Sequence, residues 1–288
     1  MLNNPVSRSI YQFAELVQEI ADSDLEREWT WGSYKYEGVR FAYFRNYEEL
    51  RELAVELYQA RAASGAPLSA AQRILAQYHS AYMDLQGVLS GVGSEYDEKP
   101  PAEGEWPLRR VVAHIIGADL GFYVTIKYAL DRYRQGLDPL VKIEDETWVG
   151  IAGMDESELD AMMDGSLSGL QSFHRDLHKR ILIDFAEIDA VEIERPSRYW
   201  EDEPMSLRFR MHRFDSHMRQ HTIQVEKTLQ MLGHVHSESQ RLLRLIFFAL
   251  AQAEGVLIGA GRTQESLLIE LAERIDGRTR EIRNILAR

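Results

Sequence analysis

Apolar side chains recur three and four positions apart through most of this 288-residue chain, the spacing that covers one face of an α-helix. Ile10, Phe13, Leu16, Val17 and Ile20 follow it over residues 7–22. Ile74, Leu75, Tyr78, Tyr82, Leu85 and Leu89 follow it after Ser69, a residue suited to capping a helix start. Pro107 stands where a first helical turn tolerates proline, and the helix it opens runs to about Gln135. Leu167, Leu170, Phe173, Leu177 and Ile181 give another such face, ending near Phe185. Leu207, Met211, Phe214, Met218, Val225, Leu229 and Leu232 give one more, closed by Gly233. The expected fold is all-α, with the last four segments forming a four-helix bundle over 67–233.

One segment breaks the pattern. From Trp29 to Tyr43 large residues alternate on either side of Glu37-Gly38, as in a short β-hairpin, the one plausible sheet in the chain. Extended to Tyr47, it is rich in aromatic rings; burial on a helical core explains that most simply, and a substrate-lining lid is the alternative. Asn46 with Glu49 then resembles a capping box opening a helix to about Ala62. Residues 1–66 thus form an N-terminal extension. The stretches 136–155 and 188–204 read as connections. After Gly233, a helix that is apolar almost all round (Leu242, Leu243, Leu245, Ile246, Phe247, Phe248, Leu250) and an amphipathic one over 263–286 make a C-terminal hairpin, 234–288. Docking on the bundle or dimerisation would bury it, and a homodimer is expected.

Charge narrows the function classes. With 33 Lys and Arg against 46 Asp and Glu, the formal charge is −13, which repels nucleic-acid phosphates and anionic lipid headgroups. No uninterrupted apolar run approaches the ~20 residues of a bilayer span, and the start, MLNNPVSRSIYQF, lacks the apolar stretch of a secretory signal. The expectation is a cytoplasmic protein that binds neither nucleic acid nor membrane and acts on a small-molecule substrate. Cysteine is absent, so a metal must be held by His, Asp, Glu or backbone oxygen, and a thiol must come from outside.

Among nine histidines, His217 and His221 lie four apart on a helix and can converge on one ion. His174 and His178 have the same spacing. A third ligand is needed from another element, and His114 can supply it for the first pair, whereas Lys179 and Arg180 gather positive charge about the second. No Glu is followed three residues later by His, which excludes the ferritin-like di-iron pattern. Asp119 and Asp215 lie near these histidines in sequence, but read as solvated or supporting carboxylates rather than as bases, and no catalytic residue is assigned.

Trp106-Pro-Leu-Arg-Arg-Val-Val-Ala-His114-Ile-Ile-Gly-Ala-Asp119 resembles the second helix of the DinB/YfiT-like superfamily, and Phe214-Asp-Ser-His217-Met-Arg-Gln-His221 resembles its fourth. Over 67–233 the resemblance implies a DinB-like four-helix bundle with a long crossover, in which His114, His217 and His221 meet near one end on a divalent metal ion. Three neutral imidazoles leave that ion an open position. Zinc or nickel is favoured by affinity, and iron or manganese is admissible. The resemblance further implies a transferase using a low-molecular-weight thiol of the bacillithiol or mycothiol type, or else a small-molecule hydrolase. The alternative is a non-enzymatic ligand- or partner-binding bundle whose histidines are structural or vestigial.

Overall fold

In the computed structural model, which describes residues 4–199, 203–261 and 264–288, several helices begin where short polar side chains take up free backbone N–H groups. Asn4 accepts from the Ser7 amide and Pro5 opens the first turn of α1 (Pro5–Val17). Ser166, Ser206 and Ser237 do the same for α7 (Leu167–Phe185), α8 (Leu207–Met231) and α9 (Glu238–Leu257). Between them lie α2 (Val39–Ala63), α3 (Ala70–Leu89), α4 (Leu108–Arg134), α5 (Asp145–Ala152) and α6 (Glu156–Met163), and α10 (Glu265–Leu286) closes the chain. Residue 263, where the sequence pattern begins the last helix, is outside the described residues. The all-α expectation holds, with one two-stranded antiparallel ribbon, β1 (Pro196–Ser197) against β2 (Met205–Ser206), among the described residues.

The chain divides into two compact units. One contains the described parts of Met1–Pro67, Met83–Val92 and Val235–Arg288. Here α2 lies along α9 and α1 along α10, so the two terminal segments that the sequence sets apart fold with each other. Ser7 Oγ donates to Glu254 Oε1 at 2.5 Å, and Trp29 Nε1 to Glu281 Oε2 at 2.9 Å. At the centre of this unit Arg278, 5% exposed, donates to Asn46 and, at 3.0 Å, to Glu49 Oε2.

That network corrects two readings. Asn46 and Glu49 do not open a helix; they sit inside α2, buried, as partners for Arg278. Nor is the aromatic segment a hairpin, for its only pairing among the described residues is a single bridge, Trp31 with Tyr34. Gly38 is not a hairpin turn but the residue before α2, at φ +59°, where a Cβ would lie 2.5 Å from the Arg27 carbonyl oxygen. Only glycine fits there. The rings that alternate in sequence instead gather around Phe41, with Tyr34 at 4.1 Å and Trp29 at 6.2 Å between centroids, and Tyr43 packs edge-on to Phe13 at 5.0 Å. The connection 136–155 is also less loop than expected, since α5 starts within it.

The second unit comprises Leu68–Tyr82 and Gly93–His234 as far as described. Its centre is α4, packed on α7 and α8. By length and composition α4 could cross a membrane, but 72% of its apolar window is buried inside the fold, as expected for the core helix of a bundle.

Removing Arg278 would leave the Glu49 carboxylate buried with only Arg45, 3.2 Å away, as a cationic partner. We expect Arg278→Ala to lower unfolding stability in urea by about 3 kcal/mol or more. A loss under about 1 kcal/mol would mean that the network is dispensable.

Candidate metal centre

Helices α4 and α8 run antiparallel. Glu105, just ahead of α4, pairs with Lys227 at 2.9 Å, and further along the seam Phe122 meets Phe214 edge-on at 5.8 Å. Between these two contacts the register places His114 opposite His217 and His221. One ligand atom from each lies within 4.8 Å of the others, and the ring centroids are 5.0, 4.5 and 4.4 Å apart. Among the described residues no other group of three ligating side chains converges in this way.

The rings are held in the form a metal needs. His217 is 7% exposed and His221 9%, while His114 is the most open of the three. Burial, reinforced by His221, His114 and Arg213, pushes His217 down to about 3. Burial and then His221 lower His114. Both are neutral at pH 7, with lone pairs available. His221 Nδ1 lies 2.7 Å from Gln224 Oε1; an amide oxygen only accepts, so Nδ1 is the donor and Nε2 is the nitrogen left for an ion. His217 Nδ1 is buried without a hydrogen-bond partner, as are His178 Nδ1 and Asp119 Oδ1 elsewhere in the same unit, so it is the convergence of the three rings that marks this cluster. Donor set and geometry both fit a divalent metal ion. Trp106 packs against His114 at 5.3 Å and Phe122 against His217 at 5.9 Å, so aromatic rings wall two sides.

The competing pair is elsewhere in the same unit. His174 and His178 are 1% and 0% exposed. His178 Nε2 lies 3.2 Å from His79 Nδ1, and His174 Nε2 lies 3.1 Å from Asp119 Oδ2, which also accepts from Tyr78 at 2.9 Å. Tyr82 stacks on His178 at 3.9 Å. Asp119 is therefore neither solvated nor a support for the three-histidine group; it belongs to this core network, where burial raises its pKa. Asp215 is engaged by Arg219 at 2.8 Å.

Arg180 does not gather charge about the second pair; it turns to the Ile151 and Ala152 carbonyls and the Tyr123 hydroxyl. Sequence reasoning also missed His79. Its signal was there: Leu75, His79 and Met83 are four apart, a polar residue on an otherwise apolar stripe.

A family model for the DinB superfamily matches residues 77–225, more than half of the chain, from within α3 to most of α8. No curated protein and no solved structure matches it.

The buried network carries a pH signature. Burial, then His79, holds His178 well below the ordinary 6.5. The unfolded chain takes up a proton there below pH ~6.5 and the native one does not, so this contribution is complete above that pH and is lost on acidification, at about 1.4 kcal/mol per pH unit. Urea titrations between pH 7 and 5 should give a shallower slope for His178→Asn than for the parent; equal slopes would contradict the assignment.

Proposed function

The chain belongs to the DinB superfamily, and from that premise we propose a metal-dependent enzyme acting on an electrophilic small molecule. In this reading His114, His217 and His221 hold one divalent ion. The reaction is transfer of a low-molecular-weight thiol, of the bacillithiol or mycothiol type, or a small-molecule hydrolysis. The supporting observation is the convergence of three imidazoles from two helices within 4.8 Å.

The ion, when bound, supplies a Lewis acid that brings a water or an external thiol toward its deprotonated form at neutral pH. The chain's own residues have the remaining tasks. Gln224 fixes the tautomer and direction of His221. Trp106 and Phe122 hold the other two rings and limit access of bulk water to them. A nucleophilic thiol must be a second substrate, since the chain has no cysteine. Zinc and nickel suit the all-nitrogen donor set best, with iron and manganese next.

Metal analysis tests this reading. Tag-free protein reconstituted with zinc or nickel should hold about one ion per chain, and His114→Ala, His217→Ala and His221→Ala should each fall below about 0.2. His178→Asn should keep its ion, and Gln224→Ala should bind some tenfold or more weakly, as for other groups that orient a ligand. A metal-free parent protein would instead favour a ligand- or partner-binding bundle with structural histidines.

A further inference from the structure

The second unit has a recess of about 450 Å³, lined by Lys142, Ile143, Trp148, Arg198 and Tyr199. Tyr199 connects it to the metal centre: its ring meets Phe122 edge-on at 6.1 Å, and Phe122 meets His217 at 5.9 Å. The Tyr199 hydroxyl lies so close over Gly121 that any side chain there would collide with it. Glycine at that position is what lets the tyrosine close down on α4. Flat rings thus run in succession from the recess to His217, with Phe122 buried between them.

The route is also lined with cations. Arg213, one turn before His217 on α8, has its guanidinium 5.8 Å from the Phe122 ring, and its side chain reaches only a hydroxyl, Ser216 Oγ at 3.4 Å. Among the described residues Arg213, Arg198 and Lys142 have no carboxylate partner. In a chain where acids outnumber bases by 46 to 33, three unneutralised cations along one route call for an explanation. The acids nearest Lys142 in sequence, Glu144, Asp145 and Glu146, are exposed at the start of α5 and do not line the recess, while Asp215, two residues from Arg213, is engaged by Arg219, and Glu194, four before Arg198, by Arg208.

Resting on the metal-centre reading, we infer that the small molecule handled there is a carboxylate with a flat, unsaturated or aromatic body. It lies against Tyr199 and Trp148 with its anion held by Arg198 and Lys142, and Arg213 guards the passage to the histidines. Arginine suits this role because its planar fork matches a carboxylate and its flat face tolerates an aromatic neighbour. The volume accommodates a two-ring molecule.

Calorimetric titration with 2-naphthoate and its neutral counterpart 2-naphthalenemethanol tests the inference, using metal-loaded and chelator-stripped protein with metal content measured on the same samples. Naphthoate should bind saturably and about tenfold or more tightly than the alcohol in both forms, since a carboxylate gains charge-assisted hydrogen bonds that an alcohol does not. Arg198→Gln and Arg213→Gln should each weaken naphthoate by roughly 5- to 20-fold and leave the alcohol within about twofold, while Lys35→Gln, a charge control on an exposed residue of the other unit, changes neither. Equal affinity for the two probes, no saturable binding, or arginine variants like the parent would overturn the inference. Protein that holds no metal yet prefers naphthoate would overturn the metal reading and keep the recess; protein that holds metal without that preference would do the reverse.

Discussion

The register of α4 against α8 is the constraint from which the rest of the site follows. Lys227 on Glu105 and Phe122 on Phe214 mark that register at two heights, and the histidines meet between them. Neither helix has the site alone. His217 and His221 offer two nitrogens on one face of α8, a pattern that α7 also carries, and only the opposing helix adds the third. A slide of one helical turn, about 5.4 Å, would move His114 out of reach while leaving every local sequence pattern intact.

The two His-x3-His pairs show how environment separates identical spacings. On α7 the imidazoles lie in the closed core, where each finds a polar partner, His79 for His178 and Asp119 for His174, and Tyr82 covers one ring. These bonds give the core fixed hydrogen-bonding relationships, although His178 Nδ1 and Asp119 Oδ1 are left without partners. On α8 the rings face one another and the more open His114, and no carboxylate approaches within hydrogen-bonding distance of them among the described residues. Neutral nitrogens clustered without acidic partners are poorly satisfied by the protein itself. A cation is the natural complement.

Much of this was legible in the sequence because helix periodicity and the order of the histidine motifs are local signals. The four bundle helices and their approximate ends could be read from the chain, whereas spacing alone offered two equal His-x3-His pairs, and the resemblance in motif order singled out His114, His217 and His221. The aromatic segment misled because alternation of large residues is equally produced by rings that cluster on one another, and Glu37-Gly38 looks the same whether glycine turns a hairpin or precedes a helix. Asn46 and Glu49 misled for a related reason: a capping box and a buried partner pair for Arg278 use the same residue types, and the arginine that distinguishes them lies 229 positions from Glu49. His79 and Asp119 were passed over because their meaning depends on which helices pack together. The pairing of the N-terminal and C-terminal segments into one unit was invisible for the same cause.

The central claim is that three imidazoles, and no other protein groups, hold one ion. X-ray absorption at the metal edge of reconstituted protein tests it most directly. The account predicts three imidazole nitrogens at about 2.0–2.1 Å, with any remaining ligands light atoms from solvent. A shell with fewer than two imidazoles, or one dominated by carboxylate oxygen, would contradict it.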